Sequence, residues 1–104
     1  MFTSTLTIEG RLAEDPTVLE NLTEIVVLTN RRKPNDAGEW TNTDTTRYVV
    51  KAFKTLGTKA GEQLHKGDQV IVAGSIITET WADNDTNQNR YRQTVLADAI
   101  GASL

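Results

Sequence analysis

With 104 residues, 38% of them hydrophobic and none cysteine, the chain suits one domain with a modest core and excludes disulfides, thiolate metal sites and thiol chemistry. No apolar run approaches the roughly 18 residues of a membrane span, and Met1-Phe2-Thr3-Ser4 lacks the basic and apolar regions of a signal peptide, so a cytoplasmic protein with no membrane partner is expected. The net charge of −3 argues against a nucleic-acid partner only until it is divided: residues 1–30 hold one basic and five acidic groups, 31–66 eight and four, 67–104 two and five, a basic middle inside an acidic chain.

The chain opens on an alternating run. Phe2, Leu6, Ile8 and Leu12 fall on even positions, with Thr3, Thr5, Thr7, Glu9 and Arg11 between them. This predicts a half-buried strand, with a bulge or sharp coil at Gly10 and a break at Asp15-Pro16. A second strand is predicted over about Leu22–Asn30, built on Ile25-Val26-Val27. Arg31 to about Thr43 reads as a polar loop with Pro34, Asn35-Asp36 and Gly38. A third strand follows over about Thr45–Phe53, with Tyr48, Val50 and Ala52 on one face and Arg47, Val49, Lys51 and Phe53 on the other.

From Lys54 to Leu64 the recurrence of Leu56, Ala60 and Leu64 predicts a short helix, with Gly67 as its C′ glycine. A long fourth strand is expected over about Gln69–Trp81. A loop of turn formers covers Ala82–Asn89, and a last strand covers about Arg90–Ala99. The order strand, strand, strand, helix, strand, strand is the OB-fold pattern, an all-β, five-stranded Greek-key barrel, and residues 1–104 are expected to form one such domain.

The chemistry of catalysis is missing. His65 is the one histidine and stands beside Lys66, where a solvated side chain is expected. Ser4, Ser75 and Ser103 have no histidine near them in sequence, and no glycine-rich phosphate loop precedes the helix. Asp83-Asn84-Asp85 begins like a calcium loop. Gln88 then stands where the turn needs glycine, and Thr94 where the bidentate glutamate belongs, so a solvated hairpin loop is expected. No catalytic residue, metal, cofactor or small-molecule substrate is expected.

What remains is a binding surface. Single-strand binding needs cations along the phosphates and flat groups on which bases stack. Arg31, Arg32, Lys33 and Trp40 fall in one loop, Arg47, Lys51 and Phe53 on one strand face, and Trp81 and Arg92 at the ends of the last two strands. These nine residues form the expected nucleic-acid site. Tyr91 shares its parity with Val95 and Ala97 and is expected to pack in the core or an interface.

The same residues carry a family resemblance. Ile8-Glu9-Gly10-Arg11-Leu12 with Asp15-Pro16, Leu28-Thr29-Asn30-Arg31-Arg32, Gly38-Glu39-Trp40, Val49-Val50-Lys51-Ala52-Phe53, Leu64-His65-Lys66-Gly67, Val70-Ile71-Val72-Ala73-Gly74, Trp81 and Arg90-Tyr91 run in one order nearly end to end. In that order they resemble the bacterial single-stranded DNA-binding proteins. The resemblance implies sequence-independent binding and protection of single-stranded DNA in replication, recombination or repair, and a nucleoid-associated location. It also implies stacking on Phe53 and Trp81, and a homo-oligomer, a tetramer or a dimer, around which DNA wraps.

Three departures stand out. Arg47 or Thr46 occupies a position the family usually gives to an aromatic residue. Ile77-Thr78-Glu79-Thr80 stands where the family often carries basic residues before Trp81. The sequence ends at Leu104 with none of the acidic-tipped tail of replicative members, so it reads as a short form, either one whose tail has been removed or a specialised short relative. The rival expectation is a protein-interaction OB module that pairs with a primosome-like partner or a longer relative and binds single strands weakly or not at all. An RNA-binding module of the cold-shock type fits less well, because its dense aromatic motif on the middle strands is missing.

Overall fold

The structure is a computed structural model that describes residues 3–104; Phe2, expected on the apolar face of the first strand, lies outside the described residues. The chain runs β1 (Ser4–Leu12), β2 (Thr17–Val18), β3 (Leu22–Pro34), β4 (Trp40–Phe53), α1 (Lys54–Gln63), β5 (Gln69–Ala82) and β6 (Asn89–Ala102). The strands form one sheet in the order β1-β5-β6-β4-β3-β2, and β1 also pairs with β3, so the sheet closes in a ring. All pairings are antiparallel except β4–β6. This is the OB-fold expected from the strand and helix order.

The alternation read in the sequence sets the core. Ile8 and Leu12 of β1, Ile25 and Val27 of β3, Val50 of β4, Val70 and Val72 of β5 and Val95 of β6 form one buried cluster, with Leu6, Tyr48 and Leu64 packed at its margin. Helix α1 packs against β3 and β4 and buries Gly57 and Ala60. Val26 and Val49 stand outside that cluster but are also buried, and they are register partners on the outer face of the sheet.

Several local expectations need correction. The segment Arg31–Thr43 is not a loop: β3 continues to Pro34, with Arg32, Lys33 and Pro34 opposite Asn42, Thr41 and Trp40. The reversal needs only Asn35–Glu39, where the Asn35 side-chain oxygen accepts the N–H groups of Ala37 and Glu39, and Gly38 adopts φ +81°. A ribbon wetted on both faces carries no hydrophobic alternation, so its strands read as loop. A short extra strand, β2, pairs with β3, and β6 runs three residues past Ala99 to Ala102.

Gly67 is not the helix C′ residue. The helix ends at Leu64, whose backbone is already extended, and Gly67 sits in the next turn, donating its N–H to the Leu12 carbonyl at 2.9 Å. At Gly10 the register with β5 is unbroken, so there is no bulge there. The glycine is needed because a Cβ would sit on the Leu28 carbonyl, where β1 closes onto β3.

Candidate nucleic-acid interface

Both long hairpins run beyond the core. The Cα radius of gyration is 15.8 Å, against about 13 Å for a compact domain of this length. The outer face of the ring, away from the buried cluster, carries the odd-numbered side chains of β4 from Thr45 to Phe53 together with Glu79, Trp81, Arg92 and Thr94 of β5 and β6.

A connected row of groups crosses that face. Phe53, 43% exposed, lies two residues along β4 from Lys51. Lys51 Nζ meets Glu79 Oε2 at 2.8 Å. Glu79 Oε1 accepts a hydrogen bond from Thr94 Oγ1 at 2.6 Å and lies 3.6 Å from Arg92 Nε. Arg92 also reaches Glu24, at 3.9 Å, and its guanidinium carbon lies 6.0 Å from the centre of the Trp81 ring, at the outer limit for a cation–π contact. Trp81 is 48% exposed. Two half-exposed aromatics thus stand at the ends of a row whose middle is two cations and two carboxylates.

The hydrogen bond from Lys51, then that from Thr94, holds the Glu79 carboxyl below its ordinary value. A carboxylate held down in the folded state adds stability that is present above its ordinary range and lost as pH falls through the lowered value. Wild type is therefore expected to melt above Glu79→Gln near neutral pH, and paired thermal melts should show the gap closing in acid.

The remaining expected residues lie on the β3–β4 ribbon. Arg32 and Trp40 face outward with Arg47 for a reason strict alternation misses. Asn30 pairs with Thr45 but Arg32 pairs with Asn42, so β4 carries one extra residue between them. By register, that insertion turns Trp40, an even position, to the same side as Arg47, Lys51 and Phe53. Trp40 is 63% exposed, and Arg31, Arg32, Lys33 and Arg47 are all exposed. Register puts Arg31 and Lys33 on the ribbon's other side.

Tyr91 is not in the core, the first of its two expected places. Its parity is that of the core, but the β5–β6 ribbon has run past the core there, and the ring is 76% exposed, on the opposite face from Trp81. Sequence reading also missed Thr94 and Glu24 as partners of the ionic row. The one available signal was the cross-strand pairing of Glu79 with Arg92, visible only once the hairpin turn is placed at Asp83–Gln88. Among the described residues no group of three or more metal-ligating side chains converges, and no helix is long and apolar enough to cross a membrane.

The model of the single-strand binding protein family matches residues 3–103. The chain belongs to that family. It is 32% identical over 85 residues to single-stranded DNA-binding protein 2 of Tropheryma whipplei, an alignment covering 76% of this chain and 57% of that protein. It is 25% identical over 100 residues to single-stranded DNA-binding protein 1 of a Nostoc species, covering 91% and 78%. The chain thus spans little more than half the length of the Tropheryma relative. Among solved structures it is similar to the small single-stranded DNA-binding protein of Streptomyces coelicolor, with TM-score 0.83, 26% identity and coverage of 100% and 97%. The Plasmodium falciparum protein in complex with single-stranded DNA superposes with TM-score 0.80 over 97% and 93% at 16% identity, a likeness of fold.

Proposed function

We propose that this family member binds single-stranded DNA without sequence preference and performs no chemistry on it. The observation that carries the reading is the pair of half-exposed aromatics, Phe53 and Trp81, on one outer sheet face that continues to Arg47, Arg32 and Trp40. Stacking on such rings is indifferent to base identity, because every base has a π-face, and this is the mode general to OB-fold single-strand binders. Phe53, Trp81 and Trp40 stack bases. Arg32 and Arg47 track phosphates on this face, Arg31 and Lys33 do so where the strand passes round the ribbon, and Lys51 and Arg92 join them to the extent that their carboxylate partners release them. The role is cytoplasmic, at exposed single strands in replication, recombination or repair. The chain works as a homo-oligomer, a dimer or tetramer, so that one strand crosses several copies of the face.

The test is anisotropy of a labelled oligo-dT of about 35 nucleotides, titrated across salt concentrations. Binding is expected with log K falling by about 0.7 per phosphate contact for each log unit of salt, so the slope counts the contacts. No binding even at low salt overturns the reading. It would favour a protein-interaction module, a role for which the internal pairing of Lys51 and Arg92 is the supporting observation.

A further inference from the structure

The middle of the proposed binding face is occupied by a group of the chain's own. Glu79 presents both carboxylate oxygens to donors: Oε2 to Lys51 Nζ at 2.8 Å, Oε1 to Thr94 Oγ1 at 2.6 Å and to Arg92 Nε at 3.6 Å. A lysine, an arginine and a hydroxyl converging on two anionic oxygens is also the donor set that holds a phosphodiester. The side chains of Lys51 and Glu79 keep only 17% and 29% of their exposure, so salt screens this pair less than an ordinary surface pair. With Glu24 on the far side of Arg92, two cations face two carboxylates and the patch between Phe53 and Trp81 is formally neutral.

We propose that Glu79 is a built-in competitor for backbone phosphate: its carboxylate occupies the donor set between the two stacking aromatics and holds the affinity of the face below what its cations would otherwise give. This rests on the single-strand reading above. DNA crossing from Phe53 to Trp81 either displaces Glu79 or spans the patch without a phosphate contact, and both routes cost affinity and speed release. The chain is thereby tuned toward exchange rather than retention.

Glu79→Gln keeps the shape and removes the charge. It is expected to bind oligo-dT roughly tenfold more tightly at low salt, with the salt slope steeper by about 0.7, the signature of one further phosphate neutralised. Adding Lys51→Gln to that variant is expected to cancel the gain. Glu79→Thr, whose β-branched side chain suits a strand, repeats the charge removal with a different shape, and a thermal melt shows which variants are folded. If wild type binds and a folded Glu79 variant binds with unchanged affinity and slope, the competitor role is overturned while the single-strand reading stands. If neither binds at low salt, both fall. Binding by the variants where wild type shows none would uphold the competitor role while overturning the single-strand reading for the wild-type chain.

Discussion

Replacing Phe53 and Trp81 together by alanine is expected to weaken oligo-dT binding by about 2 kcal/mol or more, a loss of roughly thirtyfold, since each stacked base contributes about 1–3 kcal/mol. The two rings are half exposed and lie outside the buried cluster, so folding should be nearly unaffected. That separates this variant from a core mutation with the same loss of binding. Trp40 would then be the one remaining tryptophan, and its fluorescence change on adding DNA would report on the β3–β4 ribbon alone. A binding constant within about threefold of wild type would mean that bases do not stack on this face.

Gly74→Ala is expected to destabilise the fold by about 3 kcal/mol or more, lowering the melting temperature by roughly 12 °C or more for a domain of this size. Gly74 is buried at an irregularity: Ala73 pairs with Ala99, but Gly74 pairs with Ala97, leaving Asp98 as the extra residue of a bulge in β6. A methyl group at Gly74 would sit on the Leu96 carbonyl oxygen, so two backbones must part. Gly101→Ala is the matched control, because a Cβ there meets nothing within 4 Å. If the two variants melt within about 1 kcal/mol of each other, the sheet absorbs the methyl by shifting.

Where a residue is half buried, the sequence was enough. The even-numbered apolar run of β1, the β-branched centre of β3 and the split faces of β4 each reported the core, because one side of each strand excludes water there. Legibility failed where that contrast vanishes. Arg31–Pro34 and Trp40 lie on a ribbon wetted on both sides, and the extra residue between Asn42 and Thr45 reverses the parity by which Trp40 would be placed. For Tyr91 the core option failed in the opposite sense: its parity was read correctly, but no core remains at that height. The aromatic and basic members of the site were visible by type alone. Their pairing with Glu79 and Glu24 was not, because an ion pair between β4, β5, β6 and β3 depends on how the ring closes.

That closure has its own consequence. The parallel contact between β4 and β6 consists of two pairs, Val50 with Val95 and Lys51 with Leu96, joining halves of the chain far apart in sequence, whereas β3–β4 and β5–β6 are long local hairpins. Local hairpins form early and distant pairings late, because the entropy of closing the intervening chain must be met first. The molecule is therefore expected to start from two zipped ribbons that the distant pairings, β4–β6 and β1–β5, join afterwards. Lys51 is one of the residues in the β4–β6 contact, so the face that bridges Phe53 and Trp81 is expected to come into being only with these long-range pairings, after the hairpins.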